Sequence, residues 1–327
     1  MHRYYQERHI CATGLYIAAD VELYAESLLF RDAVALASPE IHMNHDFLPA
    51  FLNDYHAHRH EIRRKPVNGK SVLLLGPGHT IYGHWLADFL PKLFMLVHAG
   101  YDLAEFRYLV PNNTPGFGLV LLDLLGITAD RRVTYDVETD LVCPEVLFIP
   151  TMVRQSCRTA PLFNQAVAFA RSLIWQRNGA PAIQPKRRIY VSRSEADKDN
   201  GTLLNRRTLL NRDRIEDRAR QAGFEIVHPE QHPLLEQFAM FRDAEAIIGE
   251  YGSALHTSIF SERNPIICAL QGAGPSSTFL QSGICHALSQ PMGYVFGPFN
   301  DDGAAFSIDE DAFATCLNLI FDGVPLA

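Results

Sequence analysis

From Ser71 onward the chain alternates between short apolar runs closed by breakers and amphipathic stretches. SVLLL at 71–75 runs into Gly76-Pro77-Gly78, which predicts a strand buried on both faces. From His84 to His98, Trp85, Phe89, Leu93, Leu96 and Val97 fall on one broad face, predicting a helix kinked at Pro91. Strands are expected at Phe106–Val110 and Glu145–Ile149, and helices at Phe117–Leu125, closed by Gly126, and Pro161–Arg177. In the first seventy residues only Ala19–Phe30 carries a pattern, a helix or a hairpin.

NGAPAIQPK, 178–186, has the prolines and glycine of a linker. After it the same alternation restarts. Strands are expected at Arg188–Ser192, Phe224–His228, Ala246–Gly249 and Pro265–Leu270, with helices at Thr208–Ala222, Leu234–Arg242, Gly252–Phe260 and Asp309–Asp322. Strands and helices in this order predict an α/β protein with mostly parallel sheets. The expected domains are 1–180 and 181–305, with 306–327 a helix packing back on the first. A ligand cleft would lie between the domains, at the carboxyl ends of the strands.

The composition supports a folded chain: 47% of 327 residues are hydrophobic. A net charge of −8 argues against coating nucleic acid. No apolar run is long enough for a membrane span, and the first residues lack a signal-peptide pattern, so a cytoplasmic protein is expected. The six cysteines form no CxxC pair and read as small core hydrophobes.

The charge is uneven. Between Lys186 and Arg220 stand eleven Lys or Arg against six acids. Arg193 follows the strand IYVS, and Arg207 precedes the next helix, so both forks are expected to face the cleft and suit a phosphate. Arg212, Arg214, Arg218 and Arg220 have acids three or four residues away and read as a solvated helix face. In AIIGEYGSALHTSIF, 246–260, a buried strand turns through Gly249-Glu250-Tyr251-Gly252-Ser253 into a helix, whose start is a ready anion site. In YGHWLADFLPKL, 82–93, His84 and Asp88 are four apart and share a face, as a general base and its orienting partner would. The alternative is a helix cap. His56, His58 and His60 would share a face on a strand, but no acid or Cys completes a metal set. Gly76-Pro77-Gly78-His79 reads as a plain turn. Asp197-Lys198-Asp199 and Asp309-Glu310-Asp311 read as a polar loop and an ordinary helix start.

GHWLAD, YVSR, RTLLN, GFEIVHPE, LLEQFAMFRDAEAIIG and EYGSALHTSIF, in that order between 83 and 260, resemble the glycosyltransferase family 61 (DUF563) proteins. The sequence departs from the family pattern at Tyr251, usually His, at Ser253, usually Ala, at His256-Thr257, usually Thr-Asn, and at Arg212, usually an acid. The resemblance implies a GT-B-like fold, two Rossmann-like domains facing each other across a cleft. It also implies inverting transfer of a sugar from a nucleotide-sugar donor, usually UDP-linked, to a glycan, polysaccharide or glycolipid hydroxyl, with no metal or other cofactor. The first domain would be the acceptor side and the second the donor side. Asp88, His84 and Glu250 become the candidate catalytic residues. Arg193, Arg207, Asn211, Glu236, Gln237, Tyr251, Gly252, Ser253 and Ala254 become the candidate donor-binding set. The expected partners are the nucleotide sugar and the acceptor, with peripheral contact at the inner membrane face and a homodimer as further expectations. The alternatives are a binding module of the same fold with impaired catalysis, prompted by Tyr251 and Thr257, and an unrelated hydrolase using His84 and Asp88, disfavoured because no GxSxG is present.

Overall fold

The computed structural model describes residues 14–36, 48–149, 153–154, 158–184, 187–193, 208–274, 277–300 and 305–321. These form two compact units. One holds the described residues from 14 to 154 and from 159 to 179, the other Arg158 and those from 180 to 321.

The first unit is built on β1 (Tyr16–Ala18), β2 (Glu22–Tyr24), β3 (Leu28–Arg31), β4 (Val34–Ala35), β5 (Arg63–Leu73), β6 (Arg107–Pro111), β7 (Arg132–Tyr135) and β8 (Asp140–Phe148). The sheet order is β4-β3-β2-β8-β5-β6-β7, with β1 also on β8. β8, β5, β6 and β7 run parallel. The early strands join antiparallel. The sheet is therefore mixed, because the segment at Ala19–Phe30 resolves as a hairpin whose apolar residues alternate between faces. Leu23 and Leu29 pack into one core, and Tyr24, Leu28 and Phe30 into another with Tyr55. Tyr55, from helix Leu48–His58, stacks on Phe30 at 3.6 Å. His56 and His58 lie on that helix rather than on a strand, and the Nδ1 of His58 sits 3.1 Å from Asp54.

The second unit holds β9 (Arg187–Val191), β10 (Glu225–Val227), β11 (Ala244–Glu250), β12 (Ile266–Ala273) and β13 (Met292–Pro298). All pairings are parallel and the order is β10-β9-β11-β12-β13. Alternate residues feed opposite faces. Tyr190, Ala246, Ile248, Cys268 and Leu270 join one core. Ile189, Val191, Ile247, Ile267 and Ala269 join the other. Burial on both faces explains the unbroken apolar runs.

Three expectations are corrected in this unit. The last helix, Glu310–Phe321, packs here and not on the first unit. Phe313, Cys316, Leu317 and Ile320 form its apolar stripe and bury against Ile215, Ala219 and Phe224. The helix expected from Thr208 starts at Arg212, since Thr208 and Leu209 pair as a strand with Ala305 and Phe306. Ser253–Phe260 is a 3-10 helix, and helix Leu280–Ala287 and β13 were not anticipated. The described cysteines, Cys143, Cys268, Cys285 and Cys316, are free thiols, as expected.

Candidate functional site

In the parallel sheet, the connection leaving β9 runs to β10 on one side and the connection leaving β11 runs to β12 on the other, so the winding reverses between β9 and β11. Ligands of doubly wound sheets bind outside the carboxyl ends of the strands at such a reversal. Two of the singled-out segments end there. β9 continues into Ser192 and Arg193, and β11 into Tyr251, Gly252 and the 3-10 helix. The Arg193 Nη1 donates to the Tyr251 carbonyl at 3.4 Å. A Cβ on residue 252 would fall 2.8 Å from that nitrogen, so glycine permits the approach. A guanidinium is thereby held beside the start of a helix, a combination that favours an anion.

Glu250, the last residue of β11, is buried, and both its oxygens are taken by Arg212. Nε meets Oε1 at 2.7 Å and Nη2 meets Oε2 at 2.9 Å. The side chains are 13% and 1% exposed, so Arg212 is no part of a solvated face. A carboxylate clamped by a guanidinium is a poor proton acceptor, and the candidacy of Glu250 as a base is withdrawn. The pair has a second effect, because it neutralises a negative charge directly before the turn where an anion would sit. The remaining arginines of that helix are exposed, as expected, but only Arg220 pairs with acids of its own helix, Glu216 and Asp217; Arg214 and Arg218 reach across to Glu310 of the last helix. Beneath this pair, burial and the charges of Glu250 and Glu216 hold the Tyr190 phenol well above its ordinary pKa.

The other donor-side candidates divide. Asn211 is spent on the fold: its amide donates to the Ile308 carbonyl at 2.7 Å and accepts from the Ile308 N–H at 3.1 Å. Gln237 is buried and donates to the His232 carbonyl, whereas Glu236 is exposed beside His232. Tyr251 is buried with its N–H on Leu270, and Ser253 and Ala254 open the 3-10 helix. The structure therefore brings Arg193, Tyr251, Gly252, Ser253 and Ala254 together and assigns Asn211 to packing. Arg207 lies outside the described residues.

In the first unit, the expected pair forms, with His84 Nδ1 2.5 Å from Asp88 Oδ2. The helix that carries it is not regular. Trp85–Phe89 is a π turn, closed by Leu90 N–H to Trp85 O. Pro91 has no N–H and cannot sustain the ordinary ladder there, and π turns are frequent at functional sites. Gly78 sits at φ +89°, and a Cβ on it would fall 2.5 Å from the His84 ring, so the 76–79 turn braces the imidazole. His79 is an internal anchor: its ring is buried at 2.8 Å from Asn113 and 3.2 Å from Glu26, and its carbonyl accepts from Trp85 Nε1. Burial pushes its pKa down, but the bonds to Glu26 and Asn113 outweigh this and the net shift is upward.

One buried charge was missed. Lys92, four residues beyond Asp88, is enclosed, donates to the Leu74 carbonyl at 3.2 Å and lies over the Phe89 ring. Burial pushes its pKa down to about 8, against the opposing pull of Asp88. The i, i+4, i+8 run His84–Asp88–Lys92 was the available signal.

Among the described residues, no group of three or more His, Cys, Asp or Glu could hold a metal ion. Asp309 caps its helix and Glu310 is paired with arginines, which leaves that triplet a structural role. Asp197-Lys198-Asp199 lies outside the described residues. No helix among them is long and apolar enough to cross a membrane. The family model described as Glycosyltransferase 61 matches residues 82–268, more than half of the chain and the stretch that contains both candidate clusters. No curated protein matches.

Proposed function

The chain belongs to the glycosyltransferase 61 family, and from that premise we propose an inverting, metal-independent transfer of a sugar from a nucleotide sugar, UDP-linked, to a hydroxyl of a glycan, polysaccharide or glycolipid, by an enzyme of GT-B type. The observation that carries the donor side is the meeting of Arg193 with the Tyr251–Gly252 turn at the strand reversal. Arg193 and the start of the 3-10 helix would hold the diphosphate and stabilise the charge it gains on leaving.

On the acceptor side, the His84–Asp88 pair is the base. One group of the pair takes the hydroxyl proton while the other orients it. The acceptor oxygen then bonds to the anomeric carbon from the face opposite the leaving group. The carbon–phosphate-oxygen bond breaks, its electron pair leaves with the nucleoside diphosphate, and the configuration inverts. Localisation in the cytoplasm, with peripheral contact at the inner membrane face and a homodimer, belongs to the same proposal.

The test is thermal shift of the full chain against UDP, GDP and CMP ligands, in wild type and Arg193→Ala. Loss of one charge-assisted phosphate contact, about 1.5–3 kcal/mol, weakens binding roughly tenfold or more. No nucleotide-dependent shift in wild type refutes the donor assignment. Asp88→Asn is expected to abolish transfer while retaining donor binding, and a variant that still transfers refutes the role of the pair.

A further inference from the structure

Beside the Arg193–Gly252 turn the parallel sheet carries aromatic side chains that the chemistry above does not use. β13 is an edge strand, and Tyr294 and Phe296, two apart on it, share a face. Their rings stack at 5.3 Å and 13°. Phe279, just before helix Leu280–Ala287, meets them edge-on at 5.5 and 6.3 Å. Tyr251 lies 6.4 Å from Tyr294, so the row begins at the turn itself. Phe296 is 45% exposed and Phe279 40%.

The register fixes the spacing. Glu250 pairs with Leu270 and Leu270 with Val295, so the next residues, Tyr251, Gln271 and Phe296, stand at one height. Two strand spacings separate the ends of that row, about 10 Å. Gln271, in the middle, is buried and its Oε1 has no hydrogen-bond partner.

We propose that this shelf is the subsite for the donor's nucleobase, with the base stacked on Phe296. The proposal rests on the nucleotide-sugar reading and deepens it. An anion-binding turn joined to an exposed, flat aromatic surface about 10 Å away matches a molecule with a diphosphate at one end and a planar ring at the other. Any base offers a π face, so stacking supplies affinity without choosing among bases.

The experiment measures binding of UDP and of inorganic pyrophosphate to the full chain, in wild type, Phe296→Ala, Phe296→Trp and Arg193→Ala, with circular dichroism to check folding. Phe296→Ala is expected to weaken UDP about tenfold or more and leave pyrophosphate unchanged. Phe296→Trp is expected to retain UDP, and Arg193→Ala to weaken both. If Phe296→Ala binds UDP as wild type does, or loses pyrophosphate equally, the subsite is overturned and the donor reading stands. If wild type binds neither probe, the donor reading itself falls and the subsite with it.

Discussion

Replacing Lys92 by Met should stabilise the protein, and by an amount that depends on pH in a defined way. The ordinary lysine value is 10.5, and burial brings Lys92 down to about 8. At about 1.4 kcal/mol for each pH unit of displacement, keeping the ammonium charged inside the fold costs about 3 kcal/mol. Below pH 8 the group is charged in both the folded and unfolded chains, so the whole cost is felt. Between about 8 and 10.5 the unfolded chain still binds the proton that the folded chain has released, so stability rises with pH. Above 10.5 both forms are neutral and the cost has gone. Methionine fills a similar volume without the charge, and the hydrogen bond lost at the Leu74 carbonyl is a constant offset. Urea unfolding of both proteins at intervals from pH 7 to 11 measures this. The advantage of Lys92→Met is expected to shrink by about 3 kcal/mol across that window. A difference that stays flat with pH refutes the reasoning.

Two further predictions concern positions that hold the candidate clusters. Arg212→Met removes the bidentate partner of the buried Glu250 carboxylate and should cost about 3–5 kcal/mol, whereas Arg212→Met with Glu250→Gln should recover most of that. Denaturant midpoints check it, and a single variant within 1 kcal/mol of wild type contradicts a buried pair. Gly78→Ala places a methyl against the His84 ring at a left-handed backbone position, costing about 1–2 kcal/mol. Turnover should fall by more than the lost stability accounts for, and equal activity at a temperature where the variant is folded would show that the brace is dispensable.

The second unit was more legible than the first. Strands buried on both faces leave continuous apolar runs, so Arg188–Ser192 and Ala246–Gly249 could be placed within a few residues, and with them Arg193 and the turn after Glu250. His84 and Asp88 were found because their partnership is local. What escaped depended on distant partners. Arg212 sits among acids on its own helix, and nothing nearby reveals that it reaches a carboxylate 38 residues away. Asn211 looked available because its partner, the Ile308 main chain, is 97 residues distant. A lysine after a proline reads as surface; its spacing from His84 and Asp88 signals a shared face, and the packing around Leu74 and Phe89 then encloses it. The last helix had a clear apolar stripe, but a stripe does not name the surface it covers.

The π turn at Trp85–Phe89 has a consequence for how this segment tolerates change in length. A π turn accommodates one residue more than an α turn, and each helical residue advances the side chains by about 100°. Deleting one residue between 85 and 91 would let the wide turn relax to an ordinary α turn, and the residues after it would keep nearly the phase they have now. Leu93 and Leu96 would stay in the core and Lys92 at the Leu74 carbonyl. The extra residue is thus dispensable to the packing of the second half and bears on the first: what a deletion would change is how the turn presents His84 and Asp88 to each other.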